Sequence, residues 1–256
     1  VSAPGKRRVL VTGAASGLGE ALTAAFRARG DEVLATDVAA GDGIHQLDIT
    51  SEDDWASALA LVAEKWGGLD VLVNNAGVAG GGRIELCSMA DWRWIFDVNL
   101  FGLVQGVQTF TPMLKAQQSG HIVNVASLAG LVHPAGMGSY NAVKAAVVAF
   151  TETCGHELAA HGVRASAVCP SYFKTNLMDS MRGSDEVVGT VIGSLVESSQ
   201  VTAEEIAAAV LAGIDAGDDV IVPDEAARQA YFLKWADRSA YDEVMRQQAR
   251  RLESLS

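Results

Sequence analysis

Short apolar runs alternate with longer amphipathic stretches along most of the chain. Arg8-Val9-Leu10-Val11-Thr12 is apolar and breaks at Gly13. A run this short, closed by a turn residue, predicts a buried parallel strand. Runs at Glu32–Thr36, Ile44–Leu47, Asp70–Val73, His121–Ala126, Val163–Cys169 and Asp219–Val222 bring the expected total to seven. Between them, helical periodicity covers Gly19 to Arg29, Ser51 to about Trp66, about Asp91 to Gln118, Ser139 to about His161, and a stretch opening at Thr202. Ser51-Glu52-Asp53-Asp54 and Thr202-Ala203-Glu204-Glu205 place a capping hydroxyl ahead of acids, as helix starts do. Alternation of strand and helix without repeat or linker predicts an α/β, doubly wound parallel sheet in a single domain.

Three stretches fit that pattern less well. Gly80 to Gly82 reads as a loose loop, and Ser171 to Gln200 as a segment of lower order. Residues 223–256 follow the last strand as a helical extension of the 1–222 unit. Asp224 is placed to cap a first helix carrying Ala227, Tyr231 and Trp235 on one face. Ser239-Ala240-Tyr241-Asp242 resembles a capping box for a second, with Tyr241, Val244, Met245 and Leu252 on its apolar side. Such stripes need an apolar surface to cover: the segment after Thr175, a neighbouring subunit, or a membrane.

Charge narrows the choice of partners. The 256 residues carry a net charge of −12. That argues against a nucleic-acid partner and disfavours anionic lipid. No apolar run approaches a membrane span. Lys6-Arg7-Arg8 runs almost at once into a strand, unlike a signal peptide. Cys87, Cys154 and Cys169 are isolated, so they read as packing residues of a cytoplasmic protein, with neither disulfide framework nor metal site.

The candidate chemistry lies at the strand ends. Gly13, Gly17 and Gly19 sit between a strand and a helix, where backbone can approach a phosphate and the helix N-terminus favours an anion. This makes the sheet Rossmann-type. Asp37 ends the next strand a little over twenty residues past Gly13, positioned for a ribose 2′-hydroxyl and hostile to a 2′-phosphate. No Arg or Lys stands in the glycine turn or just after Asp37, which points to NAD rather than NADP. Asn74-Asn75-Ala76-Gly77 closes a strand at the same crevice. Tyr140 and Lys144, four apart on a helix, face the same way. An ammonium beside a phenol lowers its pKa, giving a group able to exchange a proton near working pH. Asn99 alone reads as a solvated or mildly unfavourable mid-helix residue, Ser127 as a turn residue, and His133 as structural.

Taken together, Thr12-Gly13-Ala14-Ala15-Ser16-Gly17-Leu18-Gly19, Asn74 to Gly77, Asn99, Ser127 and Tyr140 to Lys144 resemble the short-chain dehydrogenase/reductase family over residues 7 to about 222. The resemblance implies a catalytic set of Asn99, Ser127, Tyr140 and Lys144. Tyr140 would be the acid or base and Lys144 would lower its pKa and bind the nicotinamide ribose. Ser127 would bond the substrate oxygen, and Asn99 would hold a relay water. For the cofactor it implies Gly13, Ser16, Gly17, Leu18 and Gly19 at the turn, Asp37 at the ribose, and Asp48 and Ile49 at the adenine. Asn75, Ala76 and Gly77 would line the cleft, with Phe173 and Thr175 near the carboxamide. It implies a homodimer or homotetramer paired through the helices around 91–118 and 139–161. Two departures stand out. Ser171 follows Pro170 where the family has glycine, and the chain continues past its last strand. The reading is an NAD-dependent secondary-alcohol dehydrogenase. Its substrate would be apolar or bulky, because Leu177, Met178, Met181, Val187, Val188, Val191, Ile192 and Leu195 follow Thr175. The alternatives are an NADPH-linked carbonyl or 3-oxoacyl reductase and a non-catalytic NAD-sensing protein.

Overall fold

The computed structural model describes residues 6–183 and 185–255. Seven parallel strands are ordered β3-β2-β1-β4-β5-β6-β7. They are β1 (Arg8–Thr12), β2 (Glu32–Asp37), β3 (Ile44–Gln46), β4 (Val71–Asn74), β5 (Gly120–Val125), β6 (Val163–Val168) and β7 (Val220–Ile221). Strand side chains alternate between faces. Val9 and Val11 therefore pack with Val71 and Val73 against α1 (Gly17–Ala28) and α7 (Ala203–Ala216). Leu10, Leu72 and Ile122 point the other way, into a core with α2 (Glu52–Trp66), α4 (Leu103–Gln117) and α5 (Gly138–Leu158). Both faces are covered, which is why the strands read as unbroken apolar runs. The order reverses between β1 and β4, so a crevice opens beyond their C-terminal ends.

Local chemistry sets the helix boundaries. Ser51 accepts from Asp54 N at the start of α2, and Gly67 closes it with φ of 66°. Helix α3 (Met89–Phe96) begins earlier than its apolar periodicity suggested. Ser88 and Asp91 form a capping box there. The single helix expected from Asp91 to Gln118 is interrupted: Asp97–Gly102 is a π-helical turn between α3 and α4. The segment expected to be of lower order contains a 3-10 turn (Asn176–Ser180) and α6 (Glu186–Ser198). Asp185 caps α6 by accepting from Val188 N.

The extension forms α8 (Glu225–Ala236) and α9 (Arg238–Ser254). Asp224 caps α8 as expected. Ser239 does not cap α9; Asp237 does, accepting from Ala240 N. Asp237, the one residue between the two helices, holds the N-cap position, whereas Ser239 already lies inside the first turn of α9. Ala227, Tyr241 and Leu252 are buried, whereas Val244 and Trp235 are exposed. The apolar face of the extension is thus narrower than its pattern suggested. No helix among the described residues is long and apolar enough to cross a membrane.

One buried group is expected to make the fold sensitive to acid. His121, the second residue of β5, is 5% exposed, with Nε2 2.7 Å from Ser166 Oγ. The Ser166 hydroxyl donates to Asp218 O at 2.6 Å, so His121 Nε2–H is the donor to Ser166. Burial, and secondly the charge of Arg164, lower the His121 pKa to about 4. An unfolded histidine takes its proton near pH 6.5. Between those values the unfolded chain binds a proton that the folded chain refuses, so stability falls as pH drops from 6.5 to 4. The loss expected from this group is on the order of 3 kcal/mol. Urea midpoints at pH 7 and pH 4.5 should therefore separate less in His121→Gln than in wild type. Equal separations would remove His121 as the cause.

Candidate active site

The end of β1 is bound to the end of β4 by a small polar network. Thr12 Oγ1 accepts from Asn75 N and Ala76 N, each at 3.0 Å. Asn75 Nδ2 donates to Thr12 O at 2.9 Å and to Gly13 O at 3.2 Å. Asn74, by contrast, is buried and bonded to Asn124, so of the pair only Asn75 serves the crevice. Gly19 tolerates no side chain, because a Cβ there would lie 2.0 Å from Gly13 O. The turn therefore folds tightly onto the start of α1. Ser16 occupies the N-cap of α1 without a side-chain bond, unlike the capped starts of α2, α6 and α7. The free N–H groups there have the donor chemistry that a pyrophosphate needs.

A single cavity of about 2130 Å3 runs along this crevice. Gly13, Ser16, Leu18, Asp37, Asp48 and Ile49 line one end, and Asn75, Ala76, Gly77, Ser127, Tyr140, Lys144, Phe173 and Thr175 line the middle. Gly17 and Gly19 shape the turn from behind it. Asp37 is held by two backbone donors, Ala15 N on Oδ2 at 3.0 Å and Ala39 N on Oδ1 at 3.1 Å. Thr175 closes the middle against the glycine turn, its Oγ1 lying 2.8 Å from where a Gly17 Cβ would be. The crevice thus presents free backbone donors, a carboxylate and apolar side chains in succession.

Tyr140 and Lys144 are both buried on α5. Lys144 Nζ lies 5.8 Å from the Tyr140 ring centroid and donates to Val125 O at 3.0 Å. Burial raises the Tyr140 pKa to about 12; a hydrogen bond with Ser127 acts the other way, and Tyr172 adds to the rise. Burial also lowers Lys144, to about 8. Burial thus works against the lowering of the phenol that the Tyr140–Lys144 spacing suggests. The ammonium sits over the ring and bonds the backbone rather than the phenol oxygen. Ser127 also accepts from Ala129 N at 3.1 Å.

Asn99 is buried rather than solvated. The π turn swings it inward, where Oδ1 accepts from Val78 N at 2.8 Å and Nδ2 donates to Val78 O at 2.9 Å. Its side chain does not line the cavity; it fixes the strand of backbone following Gly77.

A family model described as short chain dehydrogenase matches residues 7–186. The chain belongs to the short-chain dehydrogenase family. It is an oxidoreductase of the nicotinamide-dependent kind. Among similar proteins, a 3-oxoacyl-(acyl-carrier-protein) reductase of Thermotoga maritima is 32% identical over 241 residues, covering 81% of this chain and 96% of the relative. A short chain dehydrogenase/reductase from Burkholderia phymatum, solved with NAD, superposes with a TM-score of 0.83 at 29% identity. It covers 92% of this chain and 95% of its own. A second, from Burkholderia cenocepacia and solved with NADP, gives 0.80 at 29%, covering 93% and 97%.

The two departures from the short-chain dehydrogenase pattern meet in space. Ser171 N and Oγ both donate to Asp224, at 2.8 and 2.6 Å. The serine that replaces glycine is thereby anchored to the start of the extension. His133, expected to be structural, joins the same assembly: its N–H donates to Tyr241 Oη at 2.9 Å, and its Nε2 accepts from Lys234 at 3.0 Å. The far wall of the cavity matches one of the surfaces offered for the apolar stripe of the second C-terminal helix, and adds Trp94, which the sequence did not single out. Trp94, Met245 and Leu252 line that wall, although they lie on α3 and α9, far apart in the chain. Gly80 to Gly82, expected to be loose, is buried and pinned, with Gly82 N donating to Gly136 O at 2.7 Å. Among the described residues no cluster of metal-ligating side chains occurs.

Proposed function

We propose that the protein is an NAD-dependent dehydrogenase that interconverts a bulky, apolar secondary alcohol and its ketone. The observation that carries this reading is that Tyr140, Ser127 and Lys144 open into one cavity with Asp37 and the glycine turn. When bound, NAD would accept the hydride from the carbinol carbon. The residues manage everything else. Tyr140 exchanges the hydroxyl proton, and Ser127 stabilises the substrate oxygen as charge develops on it. Lys144 keeps N–H groups beyond the one given to Val125, and these are assigned to the nicotinamide ribose. Asn99 positions Val78 and, at its backbone, the relay water. Met137, Tyr172, Met178, Met181, Val188 and Ile192 line the remaining space, which favours an apolar substrate. Absorbance at 340 nm with NAD and a panel of secondary alcohols tests the reading; a panel without turnover in either direction would leave a nucleotide-binding sensor as the better account.

We assign residues 223–256 to the same domain as an extension that completes the substrate end. Asp224 anchors Ser171, and Leu252 seals the cavity wall. Truncation after Val222 is expected to raise substrate KM about tenfold or more while NAD affinity moves less. It should also expose apolar surface and reduce solubility. Unchanged mass, stability and kinetics would make the extension passive.

The proposed assembly is a homodimer or homotetramer, with no nucleic acid among its partners, in the cytoplasm. Helix α5 leaves Ala142, Ala145, Ala146, Ala149 and Phe150 incompletely buried, and Phe101 beside α4 is 51% exposed. A second copy would cover them. Light scattering at micromolar concentration should return at least twice 26.8 kDa; a monomer mass would count against the assembly.

A further inference from the structure

We infer that Arg83 and Asp185 form a latch that holds the cover of the substrate pocket closed, as positioning residues for the reaction proposed above; the inference rests on that reading. The cover is the 3-10 turn Asn176–Ser180 and helix α6, whose Met178, Val188 and Ile192 face the cavity. Three separate segments meet beneath it. Ala79 N donates to Ser180 Oγ at 3.0 Å, and Arg182 N donates to Ala79 O at 3.4 Å. Gly82 N bonds Gly136 O, on the stretch that leads into Tyr140. At Gly183, φ is 142° and a Cβ would lie 2.4 Å from Gly81 O, so only glycine allows this approach.

The latch closes the joint. The Asp185 side chain is 1% exposed and that of Arg83 is 16% exposed. Asp185 Oδ2 accepts from Arg83 Nε at 2.8 Å and Arg83 N at 2.9 Å, and Oδ1 accepts from Arg83 Nη2 at 3.2 Å. The same carboxylate caps α6 by accepting from Val188 N at 3.3 Å. Arg83 also lies 3.9 Å from Glu253 on α9. One guanidinium therefore binds the loop after the cofactor motif to the cover, and touches the extension. A forked, fixed geometry suits arginine and is lost with lysine. Apolar residues would glue such a joint more firmly than a buried ion pair. An ion pair instead gives a joint that hydrates when it parts, which suits a cover that must open for a bulky substrate.

The test uses Arg83→Met, Asp185→Asn and the double variant in the full chain. Arg83→Met strands a buried carboxylate; Asp185→Asn keeps the shape and an acceptor for the helix cap. We expect Arg83→Met to raise substrate KM about tenfold or more with a smaller fall in kcat. NADH affinity, read by fluorescence, should stay within about twofold. Trypsin should cut after Lys174 or Arg182 on the order of tenfold faster, identified by fragment mass. The double variant should recover part of both effects, because no unpaired charge remains. Wild-type KM and wild-type cleavage in both single variants would overturn the latch. So would a parallel loss of KM, kcat, NADH affinity and Tm, which marks a merely structural pair. If wild type oxidises no alcohol, the proposed function fails, while the trypsin rates still decide for or against the latch.

Discussion

A Tyr140→Phe variant is expected to lose about two to four orders of magnitude in turnover while retaining NADH affinity within about twofold. The substitution removes one oxygen and keeps the ring. That ring is 8% exposed and packs with Met137, Val143 and Val188, so the cavity wall should persist. The lost atom is the phenol oxygen that hydrogen-bonds with Ser127 at the cavity. Near-wild-type turnover would remove Tyr140 from its role. Lys144→Ala should damage both rate and cofactor affinity, because its contact with Val125 and its remaining donors go together.

The same environment fixes the sign of the pH dependence. Burial, opposed by the Ser127 bond, holds the Tyr140 pKa at about 12, so the phenol is protonated throughout the neutral range. Ketone reduction uses that proton and should not rise with pH. Alcohol oxidation needs a phenolate, whose fraction grows as pH rises toward the pKa. Between pH 6 and 8 the oxidative rate should therefore climb while the reductive rate stays level or falls. Lys144, lowered to about 8 by burial, carries its charge in most molecules below that pH and supports the phenolate there. Parallel climbs in both directions would point to another titrating group.

What the sequence disclosed was chemistry encoded in short spacings. The glycine turn, Asp37 at a strand end, and the Tyr140–Lys144 pair each lie within one strand–turn–helix or one helical turn, and Gly13, Asp37, Tyr140 and Lys144 line one cavity. Packing between distant segments was hidden. Arg83 and Asp185 are 102 residues apart, and neither belongs to a local motif. Gly80 to Gly82 looked loose because composition reports freedom of backbone, not the partners that remove it. The π turn left no trace, since inserting one residue in a helix shifts the phase of the apolar stripe without erasing it. Asn99 therefore looked like a mid-helix defect. Spacing could not show the phenol's surroundings either: it brings two groups near each other, whereas burial sets the cost of each charge.

Cofactor choice should be strongly one-sided: kcat/KM with NAD is expected to exceed that with NADP by about two orders of magnitude. Asp37 ends β2, and two backbone N–H groups hold its carboxylate in place. It cannot swing away from a 2′-phosphate without giving up both bonds. The neighbouring cavity wall consists of Gly13, Ser16, Leu18, Val38, Asp48, Ile49 and Thr50, and none of these offers a compensating cation. Asp48 adds a second carboxylate to the same end. Two like charges about 5 Å apart repel by roughly 3 kcal/mol at an effective dielectric near 20, enough for the stated ratio. The relatives do not decide the matter, since one neighbour was solved with NAD and another with NADP. The expectation rests on the local charge at Asp37. Asp37→Ala combined with Val38→Arg should narrow the gap, because Val38 is 64% exposed beside the site and an arginine there would reach a phosphate without disturbing the core. Equal kcat/KM for the two cofactors in wild type would show that Asp37 does not face the ribose.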